Sequence, residues 1–528
     1  MFACRTRPVA TASRTTTSLA RFTAEGDSRG GFHLAGRKPQ VSSSRCAFSI
    51  DVTPNSRTSS PARRRQTSPT RNARASAEMS SSVAKKIVVV GGGVSAGYFA
   101  RAIVAAGRGA DLTIISAEPV APYERPALTK AVLHAESPAR LPGFHTCVGG
   151  GGERQTEAWY ADKGVTLRLG TRVVGWDASS RTVTADDGAV TPYDALVVAI
   201  GCTALRLPEA IGGSLPGVHY VRDNADALAL SDAMATAKAP VVIGGGYIGL
   251  EAAAALAARG LNPRVVLMEP HTMARLWTPE VAAKYEALYE SKGVVFHRGA
   301  RVKRVVAGAD GRVDGVELED GAVLPADLVV VGVGAGAPSA PFDALRTTPD
   351  PKRPGGIAVD HIFAASGADI APRSVFAVGD VAAFPARDGV SAAPSPTRVE
   401  HVAHARASAA HCARAVLDDK FEAPYEYLPF FYSRVFEQKD QPRAVNWAFW
   451  GFNRGACVCV GDFAPSMAAF WVDEADDGTG KVAGVMVESC SDAERDAAKR
   501  AAASRTTVDI AALRKCASVA EAFALIAA

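Results

Sequence analysis

The stretch Val241-Val242-Ile243-Gly244-Gly245-Gly246-Tyr247-Ile248-Gly249-Leu250-Glu251 decides the fold of this chain. A β-branched apolar run predicts a buried strand, and the glycines predict a tight turn into a helix. The spacing Gly244-x-Gly246-x-x-Gly249 is a dinucleotide fingerprint. Its first glycine makes the turn, its second lets backbone N–H groups approach a pyrophosphate, and its third lets helix pack closely on strand. An acid about 20 residues on, at the end of the next strand, accepts a ribose hydroxyl. Glu269 closes Arg264-Val265-Val266-Leu267-Met268 in that role. The glycine spacing alone is a weak signal; strand, helix and acid in that order strengthen it.

Upstream lies a second unit of the same kind. Ile87-Val88-Val89-Val90 predicts a strand, and Gly91-Gly92-Gly93-Val94-Ser95-Ala96 is a GxGxxA version of the fingerprint. A helix is expected through Tyr98–Ala106, then a strand over 111–116 ending at Glu118. Two such units predict two electron carriers, FAD in the first and a nicotinamide dinucleotide in the second. Ser374-Val375-Phe376-Ala377-Val378-Gly379-Asp380 predicts a strand that returns to the first unit. Its terminal carboxylate, Asp380, suits the ribityl hydroxyls of a flavin. A helix expected over about 398–417 would aim its positive end at the flavin ring and favour an anionic reduced flavin.

The fold class expected is therefore α/β: two Rossmann-like dinucleotide-binding domains, the FAD domain discontinuous with the NAD domain inserted, and a smaller α+β C-terminal domain. The boundaries are 83–205 and 335–418 for the two parts of the FAD domain, 206–334 for the NAD(P) domain and 419–528 for the last. Further strands are expected at Thr166–Leu169, Thr182–Ala185 and within Tyr193–Gly201, and a helix over Pro279–Lys292. Hairpin-like strands are expected over 294–306 and 313–319, with turns at Asp310-Gly311 and Asp320-Gly321. Gly149–Gly152 reads as a surface loop. The C-terminal part reads as an aromatic-rich meander to about Glu488, then a helix near Val519–Ile526.

Charge separates the N-terminal segment from the rest. Residues 1–82 hold thirteen Arg and one Lys against four acids, a net of +10, which leaves −5 for the rest of a chain whose total is +5. Rich in Ser, Thr and Arg, this segment cannot bury a core and reads as a transit peptide, for a chloroplast or alternatively a mitochondrion. The basic balance therefore gives no nucleic-acid surface. No apolar run of about 18 residues predicts a membrane span. The nine cysteines include no CxxC or CxxxxC pair. Cys457-x-Cys459, in an alternating apolar strand, is a poor metal pattern, and no metal is expected.

With these features the chain resembles the FAD- and pyridine-nucleotide-dependent oxidoreductases of glutathione-reductase type, and within them the plant and algal monodehydroascorbate reductases. The likeness covers nearly all of residues 85–440. It rests on Gly91–Tyr98, Ala121-Pro122-Tyr123-Glu124-Arg125-Pro126-Ala127-Leu128, Ala139–His145, Gly244–Glu251, Val399–Arg406 and Phe431-Tyr432-Ser433-Arg434. The resemblance implies an antioxidant, ascorbate-recycling enzyme. NADH, or NADPH, reduces FAD, and two one-electron transfers then reduce two monodehydroascorbate radicals. It places FAD against Gly91, Gly92, Gly93, Val94, Glu118, Arg125, Lys130, Val173, Arg222, Asp223, Asp380, Val402 and Tyr432. It places the nicotinamide dinucleotide against Gly245, Gly246, Tyr247, Ile248, Gly249, Leu250, Glu251, Glu269, Arg275, Gly334, Glu400 and His401. Arg406 and Arg434 are the expected substrate-binding residues. No single catalytic residue is singled out, and a monomer or weak dimer is expected.

Glu269 favours the 2′-hydroxyl of NADH, with Arg264 and Arg275 near enough to soften that preference. Arg406 reads alternatively as a solvated helix-face residue, and Cys147 as a near-flavin thiol or an inert core cysteine. Two departures from the family pattern are Ala199-Ile200-Gly201 and Gly334-Ala335-Gly336-Ala337-Pro338. Two rivals remain: a ferredoxin or rubredoxin reductase, which shares both fingerprints, and a non-enzymatic flavoprotein resembling apoptosis-inducing factor.

Overall fold

The computed structural model describes residues 85–134, 138–141, 143, 147, 153–347, 355–387, 394–436 and 444–527. The N-terminal segment 1–82, the run 149–152, and Pro142, Phe144 and His145 lie outside them.

Each fingerprint sits at the C-terminal end of the central strand of a parallel sheet. The first sheet runs Val375–Ala377, Ala195–Val198, Ile87–Val90, Leu112–Ile115, Thr166–Arg168. Ile87–Val90 is buried along its whole length, as a strand covered on both faces must be. The edge strand Val375–Ala377 arrives only after the second sheet has been built. That second sheet runs Val295–His297, Arg264–Val266, Pro240–Ile243, Leu328–Val331, Val218–His219, again all parallel. The chain crosses between the sheets twice, and the crossings pair with one another: Thr203–Ala204 lies antiparallel to Ala335–Gly336.

Two expectations need correction. The strand expected over 294–306 divides at Gly299, which has φ +64°. Val295–His297 joins the parallel sheet, whereas Val302–Ala307 pairs with Val313–Leu318 in a separate antiparallel sheet. The helix expected from about Arg398 begins at Val402, because Ser395–Arg398, containing Pro396, pairs as a strand with Ala382–Ala386. This helix packs across the first fingerprint helix, Val94–Ala105.

The last region is an antiparallel sheet in the order Phe430–Val435, Val445–Gly451, Thr479–Glu488, Met467–Glu474, Ala456–Gly461. Period-two alternation gives it two dry faces. Trp447, Phe449, Trp471 and Met486 pack toward the nicotinamide-type unit with Trp277 and Tyr285. Ala448, Trp450, Phe470 and Val485 face a cover of helices, meeting Ala498, Leu513 and Phe523. That cover holds Asp492–Ser504 and Ile510–Lys515 as well as the expected terminal helix, which spans Val519–Ala527.

Candidate active site

A cleft of about 990 Å³ connects the two glycine turns. Gly93, Val94, Arg125 and Lys130 line it from the first unit, and Gly245, Gly246, Tyr247, Ile248, Glu251, Glu269, Arg275 and Gly334 from the second. Arg222, Asp380, Glu400, His401, Val402 and Tyr432 line the space between. Gly91, Gly92, Glu118, Val173, Asp223, Gly249, Leu250, Arg406 and Arg434 are not part of its lining.

The glycines divide by task. Gly91 and Gly244 have φ of +118° and +110°, and a Cβ there would meet a carbonyl oxygen at 2.3 and 2.4 Å. A Cβ on Gly249 would meet the Gly244 carbonyl oxygen at 1.9 Å. These three make the turns and hold the helices against them. A Cβ on Gly246 would meet nothing within 4 Å, so it would project into the cleft. Gly93 and Gly246 are the N-caps of Val94–Ala105 and Tyr247–Ala258, and neither helix has a side-chain cap. By contrast, Asp223, Thr278 and Ser491 cap their helices with side-chain oxygens. Two helix N-termini with uncapped N–H groups thus open onto one cleft, which suits two pyrophosphates.

The second strand, Leu112–Ile115, stops three residues short of Glu118, whose carboxylate is held from both sides. Arg125 donates to one oxygen and the Tyr123 hydroxyl to the other. Arg125 also donates to the Arg222 carbonyl at 2.9 Å. Arg222 in turn reaches Asp380 at 3.2 Å, and the Cys202 thiol donates to the same carboxylate oxygen at 3.2 Å. Val173 is buried in a neighbouring three-stranded sheet. Asp223 is occupied by a capping box with Asp226.

Glu251 lies inside the protein, 5 % exposed. It pairs with Lys130 at 2.7 Å and accepts hydrogen bonds from the Thr129 and Ser433 hydroxyls. Nothing local in the sequence announces Thr129 or Ser433 as partners of a carboxylate on the second fingerprint helix. Ser433 carries only the signal of its segment Phe431-Tyr432-Ser433-Arg434, and Thr129 falls one residue beyond the segment ending at Leu128.

His401 caps the helix Val402–Leu417 with its own ring: Nδ1 accepts from the Ala403 N–H at 3.2 Å. An accepting Nδ1 carries no proton, and burial pushes the imidazole down to about 3, so it is neutral at physiological pH. The ring is edge-on to Phe430, Phe431 and Tyr432. One turn on, Arg406 forms an ion pair with Glu124 and lies 5.2 Å over the Tyr98 ring. The Tyr98 hydroxyl donates to Glu124 at 2.7 Å. Arg406 is therefore a paired, half-buried cation rather than a solvated face residue. Arg434 shares a face of the strand Phe430–Val435 with Tyr432 and borders a small recess that also touches Lys130, His134 and Glu251. Burial raises the Tyr432 phenol, while the charges of Arg406 and Arg434 both lower it.

Cys147 is buried against Gly97 of the first fingerprint helix, and burial pushes its thiol up, as for an inert core cysteine. Cys457 and Cys459 are free, half-buried thiols two residues apart on the strand Ala456–Gly461. Among the described residues no three His, Cys, Asp or Glu side chains gather as metal ligands, and no helix is long and apolar enough to cross a membrane.

Comparison with known proteins gives these features a family. Residues 85–409 match the pyridine nucleotide-disulphide oxidoreductase family, and residues 428–522 match the C-terminal domain described as monodehydroascorbate reductase 3-like. The chain is 48% identical over 442 residues to the chloroplastic/mitochondrial monodehydroascorbate reductase of Arabidopsis thaliana, covering 83% of this chain and 86% of that one. It is 46% identical to monodehydroascorbate reductase 5 of Oryza sativa subsp. japonica over the same shares. A ferredoxin reductase structure from Rhodopseudomonas palustris is 31% identical with a TM-score of 0.64, covering 76% of this chain and 91% of that one.

Proposed function

The chain belongs to the monodehydroascorbate reductases, FAD- and NAD(P)H-dependent enzymes of the pyridine nucleotide-disulphide oxidoreductase family, and from that we propose how its cleft divides the work. The observation that carries the reading is the pair of uncapped, glycine-led helix N-termini opening onto one cleft. The end at Gly93 holds the FAD pyrophosphate and the end at Gly246 that of the nicotinamide dinucleotide. A bound flavin supplies the change in electron number, taking two electrons as a hydride and giving them up singly. The overall balance is one NADH, one proton and two monodehydroascorbate radical anions to one NAD⁺ and two ascorbate anions.

The chain's own groups position and polarise. Asp380, held by Arg222 and Cys202, offers its carboxylate to ribityl hydroxyls. Lys130 is steered into the cleft by Glu251. His401 stays neutral, so the positive potential at that wall comes from the helix N-terminus behind it. Tyr432 closes the same wall. Arg406 and Arg434 bring charge to an anionic, oxygen-rich ring beside it. Glu269 selects the ribose hydroxyls of NADH. The remaining FAD and NAD(P) contacts expected from the sequence, and the domain boundaries at 205, 334 and 418, belong to the same reading. We further place the protein in a chloroplast, or alternatively a mitochondrion. The basic, acid-poor composition of residues 1–82 and the chloroplastic names of two relatives support this.

The test is NADH oxidation by the purified, flavin-loaded protein. Oxidation that starts only when ascorbate radical is generated supports the reading. Oxidation restored by a ferredoxin and not by the radical overturns it.

A further inference from the structure

Arginines near the acid of the second fingerprint are Arg264 and Arg275 in sequence, but the fold replaces one of them. Arg264 turns away, donating to the Pro325 carbonyl at 3.4 Å, and takes no part in the cleft lining. In its place the fold brings in Arg301, which lines the cleft with Arg275. The backbone fixes this arrangement. The Leu267 N–H donates to the His297 carbonyl at 3.0 Å, the Ala300 N–H to the Leu267 carbonyl at 2.9 Å, and the Gly299 N–H to the Glu269 carbonyl at 3.0 Å. Residues 299–301 are thereby laid along residues 267–269, and the Arg301 side chain starts beside Met268-Glu269. Its Nη1 rests 3.3 Å from the Met268 sulfur. A thioether is a weak acceptor, and a guanidinium has five donors, so this contact leaves most of its hydrogen-bonding capacity available.

We propose that Arg301 makes this enzyme accept NADPH as well as NADH, by donating to the 2′-phosphate that Glu269 alone would repel. The proposal rests on the reading that the Gly246 end of the cleft holds the nicotinamide dinucleotide. Glu269 and Glu319 supply negative charge on this wall, and Arg301 and Arg275 supply positive charge. The balance is near zero, so neither a hydroxyl nor a phosphate is excluded outright. A ribose diol takes a hydrogen bond to Glu269. A 2′-phosphate instead takes charge-assisted, two-pronged donation from Arg301. The side chain is exposed and anchored through its backbone, so its replacement leaves the surrounding sheet intact.

The experiment uses the full-length, flavin-loaded protein with two probes, adenosine 2′,5′-bisphosphate and adenosine 5′-diphosphate, titrated by calorimetry, alongside kcat/KM for NADPH and NADH. For Arg301→Ala the ratio of affinities, bisphosphate over diphosphate, falls about tenfold, and the NADPH/NADH ratio of kcat/KM falls with it. Arg301→Lys restores part of both ratios, because charge returns without the fork. Arg264→Ala leaves both ratios as in the wild type. Ratios for Arg301→Ala within twofold of wild type overturn the role of Arg301 while leaving the site itself standing. A wild type that binds neither probe overturns the reading of the Gly246 site, and the proposal with it.

Discussion

Lys130 and Glu251 form an ion pair of 2.7 Å in which the carboxylate side chain is only 6 % exposed. Lys130 comes from the segment that follows the first fingerprint unit, and Glu251 from the helix of the second. The Ser433 hydroxyl, from the C-terminal sheet, donates to the same carboxylate at 2.8 Å, and the Thr129 hydroxyl supplies a further hydrogen bond. One buried carboxylate at the cleft wall therefore fastens three parts of the chain.

The two ends of this pair differ in what their removal strands. Glu251→Ala leaves the Lys130 ammonium without its counter-charge and two hydroxyls without an acceptor, a loss of about 3 kcal/mol. Lys130→Met leaves Glu251 with both hydroxyl donors and costs less. Urea unfolding of the two variants checks the order; equal losses would show that the hydroxyls contribute nothing.

Two buried histidines make stability depend on pH. Burial pushes His401 down to about 3 and His404 to about 4, against an ordinary value of 6.5. Between those folded values and 6.5 the unfolded chain binds more protons than the native one, so stability rises with pH through that window. It is fully present above about 6.5 and is lost as the pH falls toward 4, each histidine contributing up to about 1.4 kcal/mol per pH unit. His404→Phe, which keeps the stacking on Phe384, should flatten the fall in urea midpoint between pH 6.5 and 5. A wild-type slope in that variant refutes the assignment.

The second fingerprint separates structure from binding within five residues. At Gly249 a methyl group would clash with a backbone carbonyl at 1.9 Å, whereas at Gly246 it would find open space. Gly249→Ala is thus expected to lower the thermal midpoint by several degrees. Gly246→Ala should melt like the wild type yet raise the KM for NADH about tenfold, because its methyl group occupies the place of the pyrophosphate. Melting curves and steady-state kinetics of both variants decide; the prediction fails if Gly246→Ala melts early or keeps its KM.

Arg434→Ala should raise the KM for the ascorbate radical about tenfold through loss of a charge-assisted contact. Flavin content, read from its absorbance, should stay at the wild-type level. A variant with bound flavin and an unchanged KM would remove Arg434 from the substrate site.

Periodicity and glycine chemistry made much of this molecule legible from its residues. Both fingerprints, their acids and the returning Gly379-Asp380 are local patterns that the backbone must obey. What escaped was set by distance or by pairing. The segment 294–306 is apolar enough for one strand, but only the positive φ at Gly299 and two different neighbouring sheets divide it. Pro396 and the partner strand at 382–386 take Arg398 out of the helix, since a proline cannot donate within one. Asp223 and Asp226 carry a capping-box spacing that marks the helix Asn224–Met234 in hindsight. The role of Arg301 has no local trace, because it depends on which loop lies beside Glu269.

The edge strand Val375–Ala377 and the wall residues Pro429, Phe431, Tyr432, Phe449 and Asn453 carry a consequence for synthesis. A ribosome that has released residues 85–334 has made both fingerprints, yet the first sheet still lacks an edge and the cleft a side. The second sheet has all five of its strands by Val331 and is able to settle first. With FAD at the first fingerprint, as proposed above, flavin capture is expected to follow release of the tail. A chain truncated before Phe430 should therefore leave the ribosome with its nucleotide-binding unit folded and its flavin seat unfinished.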